Sequence, residues 1–263
     1  MNRQIDDESP PAAPPQVVVI TCAVLEAEIE HFARDLSHIR HVEILQQGLH
    51  NEPDRLRSEL QAAIDRVEAR DGPLDAIVLG YGLCSRGIEG VRTQRAKLVI
   101  ARAHDCITIL LGSKQRYAQY VQENPGTYWY SIGWNKHHTP PGKDRYEKLY
   151  QQYCEKYGQD NAEYLMEQEQ HWFRTYDRAT FVELSIGRTD LTAEKQYTQS
   201  CAQWLDWSYD HQVGDPRLLS ELLSGPWRDE DFLVLEPGQT IRMTADDRIV
   251  EADDGQDAGA QQT

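Results

Sequence analysis

An α/β protein built on an open parallel sheet is what the sequence predicts, and three observations carry that expectation. Short apolar runs with β-branched residues recur in the first half, as VVVIT, DAIVLG and KLVIA, each suited to a strand buried on both faces. Stretches with apolar residues at helical spacing lie between them. Glycine, Asp and Ser punctuate the joins, so strand and helix signals alternate in the manner of right-handed βαβ units.

Each element has its own justification. Val17–Thr21 reads as the first strand, and Val24, Leu25, Ile29, Phe32 and Leu36 form a helical stripe behind it. HVEILQQ (41–47) reads as a second strand, followed by a helix from about Pro53 to Ala69. DAIVLG (75–80) and Lys97–Ala101 are the third and fourth strands. Asp105 is placed to cap a short apolar helix that Gly112 ends, and Ser113 to cap the next. Thr127–Trp134 reads as a fifth strand.

From Gly142 the pattern changes. A long polar helical region runs from Lys143 to about Tyr176, before the strand ATFVELS (179–185). Helices follow over about Thr192–Ser208 and Pro216–Ser224, then one or two strands in DFLVLEPGQTI (231–241). The expected organisation is a disordered tail over 1–16 and a Rossmann-like α/β core over 17–141, its parallel sheet covered by helices on both faces. A mainly helical C-terminal half with one or two extra strands (142–250) packs on the same core, and 251–263 form an acidic disordered tail.

The 263 residues carry a formal charge of −16, of which residues 1–16 contribute −2 and 251–263 contribute −4. About −10 remains on the folded part. Such a surface repels phosphate backbones and anionic lipid, so neither nucleic acid nor a membrane is an expected partner. No run reaches the roughly 18 apolar residues of a spanning helix. MNRQIDDESPPAAPPQ lacks the apolar stretch of a secretory signal, so the expected location is cytoplasmic. Five cysteines with no C-x-x-C spacing match neither a disulfide framework nor a zinc ribbon nor a thioredoxin motif. A P-loop, G-x-G-x-x-G and G-x-S-x-G are also missing.

Three of those cysteines share a position. Cys22, Cys84 and Cys106 each follow a predicted parallel strand. In a doubly wound order 2-1-3-4, strands one, three and four are neighbours at a spacing of ~4.8 Å. The three thiols can then converge in the crevice at the carboxyl edge of the sheet, where open α/β folds bind ligands. Gly80, Tyr81 and Gly82, in GYGLC, let the backbone turn sharply and lie close to a bound group. Cys22 and Cys106 also fall near expected helix N-termini, which favour thiolate. For any single cysteine, small apolar filler is at least as good an account.

Three thiolates suit zinc, with a fourth ligand or an open position, or an iron–sulfur cluster with one iron not held by cysteine. His104, His50 and Glu26 are the candidate fourth ligands, although ordinary surface or capping roles are the commoner fate of such residues. His104, with Gly80, Tyr81 and Gly82, is a candidate for holding the cofactor. Cys154 and Cys201 lie in polar helical stretches and read as incidental, and Lys136, His137 and His138 as a solvated loop. Residues 143–250 are expected to cap the crevice, with Trp134 and Tyr81 at its entrance.

ITCAVLEAEI, VLGYGLCSRG, RAHDCITILLGSKQRY, PGTYWYSIGW and GPWRDEDFLVLEPG occur in this order. Together they resemble the bacterial and archaeal domain of unknown function 1638 family (DUF1638), whose pattern includes cysteines matching Cys22, Cys84 and Cys106. The resemblance implies no established reaction. It implies an association with corrinoid-dependent methyltransferases, hence an accessory role in one-carbon metabolism and a small-molecule or corrinoid-linked substrate.

Three functional classes follow. The first is a cytosolic metalloprotein holding zinc or an iron–sulfur cluster on Cys22, Cys84 and Cys106. The second is a metal-free cysteine enzyme: Cys84 attacks with His104 as base, or paired cysteines move protons on opposite faces of a substrate carbon, as in cofactor-independent racemases. The third is a non-catalytic assembly factor with the thiols as core packing.

Overall fold

The computed structural model describes residues 15–184, 186 and 190–254. Its strands are β1 (Val17–Cys22), β2 (Ile39–Leu45), β3 (Ala76–Gly80), β4 (Lys97–Ala101), β5 (Thr127–Ser131), β6 (Arg178–Glu183), β7 (Ser208–Val213), β8 (Phe232–Leu235), β9 (Thr240–Met243) and β10 (Val250–Asp253). Its α-helices are α1 (Glu26–Ala33), α2 (Pro53–Glu68), α3 (Cys106–Leu111), α4 (Lys114–Glu123), α5 (Ile132–His137), α6 (Lys143–Tyr157), α7 (Gln159–His171), α8 (Thr192–Leu205) and α9 (Arg217–Ser224).

The fold is mixed α/β. The larger sheet has the order β2-β1-β3-β4-β8, with β1 to β4 parallel and β8 antiparallel at the edge. Side chains alternate along a strand, so its two faces bury separate sets. Val18, Ile20, Ile77, Leu79 and Leu98 pack against Leu56, Leu60 and Ile64 of α2. Val17, Val19, Val78 and Val99 pack on the other face with Ile29 of α1 and Leu219 and Leu222 of α9. Each fully buried side chain of this size contributes about 1.5–3 kcal/mol of transfer free energy. That double burial is why the strands read as unbroken apolar runs.

A second, three-stranded sheet has the order β5-β6-β7 and is wholly parallel. It is reached from β4 through α3 and α4. The Asp105 carboxylate accepts from the Thr108 N–H at the start of α3, Gly112 ends that helix with φ 79°, and the Ser113 hydroxyl accepts from the Arg116 N–H at the start of α4. These are the caps the sequence specifies.

Four stretches differ from the sequence reading. The fifth strand stops at Ser131, because its hydroxyl accepts from the Trp134 N–H and starts α5. Gly158, at φ 81°, divides the long polar helical region into α6 and α7, and a 3-10 turn over Trp172–Thr175 completes it. SYDHQV forms β7, paired along its length with β6, where the sequence offers too few apolar residues to signal a strand. β10 pairs with β9 through Asp253, three residues into the expected acidic tail. The first 14 residues and the rest of that tail lie outside the described residues. Among the described residues no helix is long and apolar enough to cross a membrane.

Candidate thiol site

The sheet order places β1, β3 and β4 side by side, and their carboxyl ends deliver Cys22, Cys84 and Cys106. Beyond the strands the pairing of β3 with β4 continues. The Leu83 N–H donates to the Ala103 carbonyl (2.8 Å) and the Cys84 N–H to the His104 carbonyl (3.0 Å). This ladder holds Cys84 beside the segment that leads into Cys106. Two glycines make the approach close enough. A Cβ at Gly82 would lie 2.5 Å from the Asp105 backbone nitrogen, and one at Gly80 would lie 2.3 Å from the Thr21 hydroxyl. Both glycines therefore serve contacts within the protein, where the sequence suggests contact with a bound group.

The thiols meet. Cys106 lies close enough to both Cys22 and Cys84 for the thiols to shift one another's ionisation. The Cys22 thiol is held below its ordinary pKa, first by the Cys106 contact and then by the Val24 N–H, against the opposing effect of burial. Cys106 is pushed well up, by its contacts with Cys22 and Cys84 and by burial. The pair is thus polarised, with the anion favoured on Cys22 and the proton on Cys106. This corrects one expectation: Cys106 opens α3, yet its sulfur neighbours outweigh any benefit from that six-residue helix. Cys84 stands on a left-handed turn, with φ 45° at Cys84, 55° at Ser85 and 69° at Arg86. Non-glycine residues adopt that region at a cost of roughly 1–2 kcal/mol each.

Tyr81 is 2% exposed, and its hydroxyl is buried with no hydrogen-bond partner. Burial raises its pKa well above the ordinary value, and charge on Cys22, Cys106 or Cys84 would raise it further. The hydroxyl therefore sits within electrostatic reach of all three thiols. Tyr81 belongs to the floor of the crevice, and not to its entrance.

Above the thiols lies a cavity of about 640 Å³. One side is the carboxyl edge of the larger sheet. The other is an aromatic wall from β5 and the segments after it, including Tyr128, Trp129, Trp134, Trp172 and Tyr176. Arg145 of α6 also lines it, so the C-terminal half completes the crevice.

The other candidates divide. His104 lines the cavity, is exposed, and packs tilted against the Tyr117 ring, centroids 5.9 Å apart. His50 lines it too, tilted against the Trp134 ring with centroids 5.4 Å apart, and burial pulls its pKa down against the pull of Asp105. Glu26 does not line it: the carboxylate takes Lys136 at 2.6 Å and His137 at 2.8 Å. Lys136 and His137 thus form the last turn of α5, and not a solvated loop, while His138 faces the cavity with its pKa lowered to about 4 by burial, Arg145, His50 and Lys148. Cys201 is buried against Gly142, and burial pushes its thiol up to about 11, whereas Cys154 sits half-buried in α6. All five cysteines are free. Among the described residues no three or more His, Cys, Asp and Glu side chains are assembled as a group that could hold a metal ion. The trio as it stands is a cluster of thiols.

A family model described as protein of unknown function (DUF1638) matches residues 44–223. The chain belongs to this family. The DUF1638 match takes in Cys84, Cys106, Tyr81 and most of the aromatic wall, and begins after Cys22 and β1. No curated protein and no solved structure matches the chain.

Sequence reasoning in the DUF1638 chain anticipated Trp134 and a covering C-terminal half, and missed the rest of the wall and its cation. Trp172 and Tyr176 lie at the end of a polar helical stretch, and Arg145 near its start resembles any solvated helix residue. Tyr117, one turn after the Ser113 cap, also lines the cavity and donates its hydroxyl to Asp105 at 2.9 Å.

Proposed function

We propose that Cys22, Cys84 and Cys106 bind a single soft metal ion, zinc before others, at the base of a cavity that receives a small molecule. The observation that carries the reading is the convergence of Cys22, Cys84 and Cys106, from three neighbouring strand ends, on one cavity floor where Cys106 senses both of the others. Sulfurs around one tetrahedral zinc at ~2.3 Å lie roughly 3.8 Å apart, a spacing that side-chain rotation of three neighbouring thiols can reach. A cluster with each thiolate on a different iron would hold the sulfurs farther apart, so iron–sulfur is the less favoured form. The donor set is soft, and the polarised Cys22 supplies the first thiolate. Closing the trio around an ion requires loss of the Cys106 proton, which makes affinity rise with pH. The unpartnered Tyr81 hydroxyl stands at the same floor. When bound, such an ion supplies Lewis acidity and lowers the pKa of a substrate thiol or water at the fourth position.

The Rossmann-like reading of the larger sheet agrees with a ligand at its carboxyl edge. A reducing, cytoplasmic setting keeps the thiols free, and a role beside corrinoid-dependent methyl transfer is part of the proposal through family resemblance alone. A metal-free enzyme is the second reading, favoured by the left-handed turn that carries Cys84.

Metal analysis of protein purified without air decides between these. One equivalent of zinc, lost in Cys22→Ser, Cys84→Ser and Cys106→Ser but retained in Cys154→Ser, supports the proposal. A brown, iron-containing protein would move the reading to a cluster. Protein that takes up no metal, with Cys84 alone reacting fast at neutral pH, would replace it with the cysteine enzyme.

A further inference from the structure

A second cavity, of about 770 Å³, adjoins the first, and His138 and Arg145 line both. Lys136, His137 and Lys148 line the second as well. The Lys136, Arg145 and Lys148 charges stand out on a chain of net charge −16, and Arg145 is paired with Glu169. Glu26 neutralises part of this charge by pairing with Lys136 and His137. Asp144 is the acidic residue of the lining, and its carboxylate contacts the Tyr197 hydroxyl. Lys148 makes no hydrogen bond or ion pair among the described residues, yet its charge is felt at His138.

Arg145 is held ready. Its guanidinium lies over the Phe173 ring at 5.8 Å, and Nη2 donates to Glu169 at 3.2 Å. Its Nε is buried and has no partner. A guanidinium carries five donors in a rigid fork that suits carboxylate and phosphate oxygens, and fixing it in advance reduces the cost of binding.

We infer that Arg145 and Lys148 form an anion subsite, which holds the carboxylate or phosphate of a small molecule whose other end reaches the thiols. The aromatic wall then covers the middle of that molecule. This rests on the cavity reading above, and its test is run on metal-free protein so that the two can fail separately.

The probes are iodoacetate and iodoacetamide, which alkylate thiols alike but differ in charge. Rates at Cys84 and at Cys154 are followed by peptide mass spectrometry, and Cys154 serves as the control thiol in the same molecule. The iodoacetate-to-iodoacetamide ratio is expected to be about fivefold or more higher at Cys84, one nearby cation being worth up to ~1 kcal/mol. Lys148→Gln and Arg145→Gln lower that ratio toward the Cys154 value, and so does added salt, while the iodoacetamide rate holds. Lys148→Gln is the safer variant, since Lys148 is no structural partner. Protection of Cys84 from iodoacetate by inorganic phosphate points to a phosphate-bearing ligand, and protection by acetate to a carboxylate. A ratio at Cys84 equal to that at Cys154, unchanged in Lys148→Gln, overturns the subsite even if zinc binds. A raised ratio in a protein that never binds zinc leaves the subsite standing and removes the metal.

Discussion

Replacing Cys106 by Ala tests the polarised thiol pair. The Cys106 contact is the largest influence holding Cys22 below the ordinary thiol value of 9.0, and only the Val24 N–H remains against burial once it is gone. A hydrogen bond to a charged group contributes about 1.5–3 kcal/mol. At 1.36 kcal/mol per pKa unit, the Cys22 thiol should rise by ~1–2 units. Thiolate absorbance in the ultraviolet, followed against pH in reduced, metal-free protein, reads this directly. The first proton leaves the wild-type trio below the ordinary thiol range, as a property of the coupled pair. In Cys106→Ala that first step moves up by the stated amount, with Cys106→Ser in between. The stability linkage has two signs. The depressed Cys22 contributes stability that is present above its unfolded pKa and is lost as pH falls through the folded value. The raised Cys106 contributes stability present below its unfolded pKa and lost as pH rises through the folded one. A first titration step that stays put in Cys106→Ala refutes the reasoning.

Three further outcomes are expected. Gly82→Ala puts a Cβ 2.5 Å from the Asp105 backbone, which cannot move without opening the ladder between the loops, so urea unfolding should show a loss of about 3 kcal/mol and the titration of Cys22 should revert toward an ordinary thiol. His138, with its folded pKa lowered to about 4 from 6.5, contributes stability that is present above the unfolded value and lost as pH falls from about 6.5 toward 4. Discounted for solvent screening this is ~2 kcal/mol, and His138→Gln should flatten the fall of the urea midpoint across that range. Arg102 is 4% exposed and donates to the carbonyls of Asp229, Arg248 and Val250 and to the exposed Asp229 carboxylate, so Arg102→Met, which takes the donor away from those carbonyls, should cost about 2–4 kcal/mol in thermal or urea unfolding.

The larger sheet was readable because β1, β3 and β4 are buried on both faces, which leaves a run of apolar residues that nothing else in the chain imitates. The caps at Asp105 and Ser113 were readable because the whole interaction lies within one turn of chain. β7 escaped because its burial is partial along its length and its chain carries Asp210, His211 and Gln212 between few apolar residues. The position of the three cysteines at strand ends was legible for the same reason as the strands. Their convergence was legible from the strand order as well, while the polarisation between Cys22 and Cys106 was not, since it depends on how the loops after β3 and β4 fold over one another. Gly80 and Gly82 were legible as special but misassigned: what demands them is Thr21 and Asp105, tertiary neighbours far away along the chain. Trp134 and a covering C-terminal half were legible, but Tyr128, Trp129, Trp172, Tyr176 and Arg145 were not, because each belongs to the cavity only through the docking of β5 and α6 across the edge of the larger sheet.

Cobalt(II) titration of the reduced, metal-free protein is the most direct test of the thiol centre. The account predicts saturation at one equivalent with an intense thiolate-to-cobalt charge-transfer band, displaced by zinc and abolished by Cys106→Ser. A titration with no such band, or one that Cys106→Ser leaves unchanged, would contradict it.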